Sequence, residues 1–293
     1  MKHVVCFGFG FSAQALAPRL KAQGWRVSGT SRSAEGAAKI RTAGFEAVIF
    51  DGATASEGVR DALATATHIV VSAPPGEVGD PVLIQHLADI ASARQLEWIG
   101  YLSTVGVYGD RNGAWVDETT PEAPQTQRSR RRLEAERDWL ALDGQQGAGK
   151  PRVQVFRLAG IYGPGRSAVD QVLSGRARRI IKPGQVFNRI HVEDIANTLE
   201  AAIARGGNHA VYNVADDEPA PPQDVIGYAA ELLGLPPPPA VAFENAELTP
   251  MARSFYAEVK RVRNDLLKTD LGVQLRYPTY RDGLAEIVAG LSS

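Results

Sequence analysis

The stretch Val4-Val5-Cys6-Phe7-Gly8-Phe9-Gly10-Phe11-Ser12-Ala13 decides the fold. Its four leading apolar residues are too few for a helix and read as a strand covered on both faces. A G-x-G-x-x-A turn follows, and helical spacing then runs from about Phe11 to Gln23. Gly8 permits a tight bend, and Gly10 removes the Cβ that would hold a phosphate away from the backbone. Ala13 lets the helix lie close to the sheet. The helix start offers N–H groups and the positive end of its dipole to an anion. Strand, turn and helix in this order point to a dinucleotide site on Gly8, Gly10, Phe11, Ser12 and Ala13.

Working outward, short apolar runs recur at Trp25 to Gly29, Ala47 to Phe50, His68 to Ser72, Trp98 to Leu102 and Val153 to Arg157. Helical segments separate them, one opening at Asp80-Pro81, a good cap followed by a good first helical residue. That alternation predicts an α/β fold, a Rossmann-type doubly wound parallel sheet. The run Gly144-Gln145-Gln146-Gly147-Ala148-Gly149 reads as a flexible link before the sixth strand. Beyond it the alternation loosens, with one more strand at Val211 to Val214. A helix at Gln223 to Leu233 is closed by Gly234, and Pro236 to Pro239 cannot extend it. The expected organisation is a nucleotide domain over 1–162 with parts of 190–225, and a smaller C-terminal substrate lobe over most of 163–293.

The end of the second strand bears on which dinucleotide is bound. An NAD site usually carries an acid there for the ribose 2′-hydroxyl, but this chain reads Thr30-Ser31-Arg32-Ser33. A carboxylate would repel a 2′-phosphate, whereas a guanidinium flanked by hydroxyls would hold one. NADP(H) is therefore favoured over NAD(H), with Thr30, Ser31 and Arg32 as the contacts. Asp51 and Gly52, after the third strand, are placed for the adenine end. Ala73, Pro74 and Pro75, after the fourth, are placed for the ribose and nicotinamide end.

The chain has 293 residues, 44% hydrophobic and 22% charged, which suits a packed globular core. With 32 basic and 33 acidic residues its net charge is -1, giving no electrostatic reason to expect nucleic acid or a membrane surface as partner. Five histidines and one cysteine show no metal-ligand spacing, so no metal is expected. Residues 1–15 imitate a short signal peptide, yet they also open the βαβ pattern; the cytoplasm is the expected compartment. No apolar run approaches the roughly 20 residues of a membrane helix.

Four further segments carry a family resemblance. They are Ser103-Thr104-Val105-Gly106-Val107-Tyr108-Gly109, Arg157 to Gly165 (R-L-A-G-I-Y-G-P-G), Arg189 to Ala196 (R-I-H-V-E-D-I-A) and Val211-Tyr212-Asn213-Val214. In this order the chain resembles the extended short-chain dehydrogenase/reductase superfamily, the NAD-dependent epimerase/dehydratase-like group. The resemblance implies hydride transfer on a small hydroxyl or carbonyl substrate, sugar-nucleotide-like, and a homodimer through helices flanking the Thr104 strand. It also implies a Tyr activated by a Lys four residues later and assisted by a Ser or Thr. Thr104 matches the helper hydroxyl. Aligned on Glu134 and Glu136, Arg132 falls at the Lys position and Arg128 at the Tyr position, and no Tyr occurs between Tyr108 and Tyr162.

An arginine stays protonated at neutral pH and cannot replace a titrating phenol. Arg132 could still hydrogen-bond the cofactor ribose, and Arg128 could bind an anionic group of the substrate. Helical spacing also allows surface ion pairs, such as Arg132 with Glu136. Three readings stay open. The chain is an oxidoreductase or epimerase whose acid/base set is rearranged around Thr104 with Tyr108, Tyr162 or His191; a non-catalytic NADP(H)-binding sensor or regulator; or an assembly subunit with a vestigial site.

Overall fold

The computed structural model describes residues 1–144 and 151–291. Its elements in chain order begin with β1 (His3–Phe7), α1 (Phe11–Ala22), β2 (Arg26–Ser31), α2 (Ala34–Thr42), β3 (Glu46–Ile49), α3 (Glu57–Thr65), β4 (His68–Val71), α4 (Pro81–Ser92) and β5 (Trp98–Thr104). A 3₁₀ turn at Val105–Tyr108 leads to β6 (Trp115–Val116), α5 (Gln127–Leu140), β7 (Arg152–Leu158), β8 (Gly160–Tyr162) and α6 (Ala168–Leu173). Then come β9 (Arg179–Ile181), β10 (Arg189–His191), α7 (Val192–Arg205), β11 (Val211–Val214) and α8 (Pro222–Leu232). The chain closes with β12 (Ala240–Ala242), α9 (Pro250–Phe255), β13 (Arg261–Val262), α10 (Asp265–Thr269) and α11 (Tyr280–Gly290). The glycine-rich link expected after Gly144 lies outside the described residues.

Seven strands form the central parallel sheet in the order β11-β7-β5-β4-β1-β2-β3. The order reverses at β1, which pairs in parallel with both β2 and β4; this is the doubly wound arrangement the alternation predicts. Every residue of β1 and of β4 is buried, the signature of strands with both faces covered. One core cluster joins Phe7, Val71, Ile99, Tyr101, Trp139 and Val155. Trp98 donates its indole N–H to Gln154 Oε1 at 2.7 Å, so a polar atom inside this core is satisfied.

Two compact units divide the chain. The first holds Met1–Thr104, Gln127–Arg157 and Ala196–Tyr212; the second holds Val105–Thr126, Leu158–Ile195 and the residues from Asn213 onward. The sequence expectation sets a boundary near 162, whereas the units interleave. The chain passes from the first unit to the second after Thr104, Arg157 and Tyr212. Segments 105–126 and 158–162 thus belong to the second unit.

The second unit packs α6, α8 and α11 around Tyr162, Val169, Ala229, Ala230, Tyr280 and Leu284. Three two-stranded parallel ribbons complete it: β8 with β10, β9 with β12, and β6 with β13. Asp194, fully buried, accepts the N–H groups of Arg276 (2.6 Å) and Tyr277 (3.0 Å), so the acid of the R-I-H-V-E-D segment fastens the approach to α11. Gly234, at φ +64°, follows α8 as the expected left-handed stop. Among the described residues no helix is long and apolar enough to cross a membrane.

Candidate functional site

The glycine turn lies in the first unit, between β1 and α1. Gly8 sits at φ +87°, and a Cβ there would stand 2.8 Å from Ser72 Oγ. Two backbone bonds from the turn run to Thr30: Gly8 N–H donates to Thr30 Oγ1 (2.9 Å) and Phe9 N–H to Thr30 O (3.2 Å). Ser72 Oγ–H donates to Gly8 O at 2.7 Å from the other side. Thr30 is buried and Ser72 half-buried, so β2 and β4 clamp the turn between them. Thr30, expected as a cofactor contact, accepts the Gly8 N–H on its hydroxyl oxygen. Ser72 was not among the expected site residues; its only sequence signal is a hydroxyl at the end of a buried strand.

Gly10 differs from Gly8. Its backbone is extended, and a Cβ built on it meets nothing within 4 Å. Helix α1 begins there with no side-chain cap and no acid in its first turn. Ser12 and Ala13 are buried against the sheet, and Phe11 is half-buried. The residues therefore fit a dinucleotide pyrophosphate: open space at the one glycine whose own strain does not require glycine, before an uncapped helix start. Phe9 explains another glycine. Its ring lies where a Cβ of Gly29 would be, 2.2 Å away, and packs on Phe45 with centroids 5.3 Å apart.

At the end of β2, Arg32 is exposed and has no hydrogen-bond or ion-pair partner among the described residues. Ser33 caps α2 by accepting Gly36 N–H at 3.1 Å, and Ser31 Oγ lies where a Cβ of Gly36 would fall. Asp51 is exposed and accepts Ala53 N–H (2.8 Å) in its own turn, with Gly52 at φ +86°. Ala73 donates its N–H to Phe7 O (3.0 Å), while Pro74 is exposed and Pro75 half-buried.

Thr104 is half-buried at the end of β5. Arg132, one of the expected catalytic positions, donates from Nη1 to Leu102 O and to the Tyr101 hydroxyl, both at 3.1 Å. The expected Arg132–Glu136 pair does not form. Glu136 instead turns into the core, where Arg157 donates to it from Nη2 (2.8 Å) and Nε (3.1 and 3.3 Å), and the Ser103 hydroxyl donates to it as well. The two residues share a helix face, but Arg132 is half-buried whereas Glu136 is buried where Arg157 of β7 and Ser103 of β5 reach it. Arg128 is exposed on the first turn of α5. Tyr101 is buried, which drives its hydroxyl pKa well above the usual value, opposed by Arg132.

The other proton-donor candidates belong to the second unit. Tyr108 is buried and donates to Asn213 Oδ1 at 2.8 Å. The Tyr162 hydroxyl rests against α11, so close that Gly283 has no room for a Cβ, and burial raises its pKa. His191 accepts Glu193 N–H on Nδ1 (3.2 Å) between the rings of Tyr162 and Tyr277, and burial lowers its pKa to about 4. These three residues pack their own unit.

The sequence profile of the NAD-dependent epimerase/dehydratase family matches residues 5–215. The chain belongs to this family. It is 34% identical over 251 residues to Protein YeeZ of Escherichia coli (strain K12), covering 81% of this chain and 86% of that one. A conserved protein of unknown function from Silicibacter pomeroyi DSS superposes with a TM-score of 0.88 at 51% identity, with both chains fully covered. A 3-diazoavenalumate denitrifying reductase from a Streptomyces species is 30% identical over 141 residues, 44% of this chain and 45% of that reductase. Members of the NAD-dependent epimerase/dehydratase family are enzymes built on this doubly wound sheet. In this member, residues 109–161 contain no tyrosine, and two arginines open α5 where the resemblance implies the Tyr and the Lys.

Proposed function

We propose that this chain is an NADP(H)-binding oxidoreductase or epimerase that acts on a small hydroxyl or carbonyl substrate with a non-standard acid/base set. The observation that carries the reading is the open space in front of Gly10 beside an uncapped α1. Gly8, held by Thr30 and Ser72, fixes the bend; Gly10, Phe11 and Ser12 then cradle the pyrophosphate, with Ala13 as the close packing contact. Arg32, unpartnered and flanked by Ser31 and Ser33, would bind a ribose 2′-phosphate bidentately, which favours NADP(H) over NAD(H). When bound, the dinucleotide supplies or accepts the hydride.

Within the first unit Thr104 can donate one hydrogen bond to a reacting oxygen. Arg132, fixed by Leu102 O and Tyr101, supplies a permanent positive charge near the end of β5. Such groups stabilise a developing oxyanion without themselves titrating. The proton then has to come from the substrate or from water. The exposed Arg128 at the expected tyrosine position favours a second reading, dinucleotide binding without turnover. Exchange of deuteride between labelled NADPH and a panel of small aldehydes and ketones tests the two. Exchange supports an oxidoreductase; micromolar NADPH binding with no exchange supports a sensor; no binding of either dinucleotide removes both.

A further inference from the structure

Helix α4 and the segment that follows β3 are joined through one buried imidazole. His86 lies in the middle of α4, where the backbone leaves the helical region (φ −132°, ψ 16°) and the helix kinks. Its side chain is 0% exposed and packs on the Phe50 ring just past β3, with centroids 5.2 Å apart. Ser56 N–H donates to His86 Nε2 at 3.2 Å. A backbone amide can only donate, so Nε2 carries the lone pair and the ring proton is on Nδ1. Nδ1–H then donates to Asp89 Oδ2 at 2.8 Å. Arg60 of α3 holds Asp89 in turn, donating from Nε to Oδ1 at 3.1 Å. The bond from His86, and after it Arg60, keep the Asp89 carboxyl below its usual pKa against the cost of burial. A charged Asp89 fixes the tautomer whose Nε2 can accept Ser56.

The segment that His86 holds is 51–56. Asp51, Ala53, Thr54 and Ala55 are all exposed, so little of it is packed. Three ties bind it to α4. They are the Ser56–His86 bond, a bond from Gln85 Nε2 to Ala53 O (3.0 Å), and Gly52 against Pro81, where a Cβ would come within 3.0 Å of the proline Cβ. The Gln85 bond lies at the surface, and His86 is the buried one of the two hydrogen-bonding ties. Strands β1, β2 and β3 run parallel, so the segment leaves the same edge of the sheet as the glycine turn and Arg32. Open α/β sheets bind their ligands at that edge.

We infer that His86 is a positioning residue for dinucleotide binding: by holding Ser56 it keeps segment 51–56 in place to receive the adenine end. This rests on the dinucleotide reading above, with Asp51 and Gly52 at that end. His86 is buried and acts through the segment. A segment already fixed need not be ordered when the ligand arrives, and such ordering is subtracted from affinity. The adenine end is common to NADPH and NADH. The contribution of His86 is therefore equal for the two, unlike that of Arg32.

Two measurements on the full chain test this. H86F keeps a ring against Phe50 but offers Ser56 no acceptor, whereas H86Q restores an acceptor in its side-chain oxygen. With no dinucleotide present, hydrogen exchange over 51–56 should be about tenfold faster in H86F and close to wild type in H86Q. Calorimetric titration should show NADPH and NADH each bound about tenfold more weakly by H86F, and within about threefold of the wild type by H86Q. Unchanged exchange in H86F removes the anchor. Faster exchange with unchanged affinity overturns the positioning role, and so does H86Q binding no better than H86F. A wild type that binds neither dinucleotide sinks the dinucleotide reading and the positioning role with it, while exchange still reports on the anchor alone. Should H86F fail to fold, D89A decides: it keeps the ring but frees its tautomer, and wild-type exchange and affinity in it reject the proposal.

Discussion

Arg157 and Glu136 form a two-pronged ion pair, 2.8 and 3.1 Å long, with side chains only 2% and 1% exposed. Arg157 comes from β7 and Glu136 from α5, and the Ser103 hydroxyl of β5 donates to the same carboxylate. The pair therefore fixes α5, with Arg128 and Arg132 on it, against two central strands.

Truncating either member takes this ion pair from the other buried charge, which costs about 3–5 kcal/mol. E136A and R157A should each lower the urea midpoint by that equivalent. The double variant E136L/R157M, which removes both charges, should recover most of the loss, to within about 2 kcal/mol of the wild type. A double variant no better than the singles would mean that the pair is not the stabilising relationship.

The two glycines of the turn should respond differently. G8A forces an alanine to φ +87° beside Ser72 Oγ and should cost stability, about 1–2 kcal/mol. G10V introduces a side chain into empty space and should melt within about 1 kcal/mol of the wild type. Its dinucleotide affinity should nevertheless fall about a hundredfold or more, read by quenching of protein fluorescence. Unaltered affinity in a folded G10V would remove the pyrophosphate from this turn.

Replacing Arg32 tests cofactor choice. A hydrogen bond to a charged group contributes about 1.5–3 kcal/mol, so R32A should weaken NADPH binding at least tenfold. NADH, which lacks the 2′-phosphate, should bind R32A as it binds the wild type. Parallel calorimetric titrations check both, and an equal loss for the two dinucleotides would contradict the assignment.

Stability should peak near pH 6.5. His68 and His191 are held neutral by burial, with pKa values lowered to about 4 from 6.5. From about pH 4 to 6.5 the unfolded chain binds protons at these two sites that the folded chain does not, so stability rises with pH. Asp216 works in the opposite sense. Between 3.8 and about 8 the folded chain keeps a proton the unfolded chain has lost, and stability falls as pH rises. The rise from His68 and His191 ends near 6.5; above it the fall from Asp216 remains, ending near 8. D216N should flatten that fall in urea melts between pH 6.5 and 8, and a D216N curve parallel to the wild type would refute the assignment.

The sequence by itself determined the sheet and its turn, because both depend on short-range physics. Val4 to Phe7 needs no long-range information to become a covered strand, and G-x-G-x-x-A in that setting permits few backbone paths. The same locality made Gly234 legible as a helix stop. Tertiary structure alone decided which polar side chains are consumed in holding the fold and which are left for a ligand. Thr30 was legible as a hydroxyl at the end of the second strand but not as the clamp of Gly8, and Ser72 only as a hydroxyl closing a buried strand. Glu136 read as a surface partner of Arg132 because helical spacing shows neighbours on one element and not what approaches from another strand.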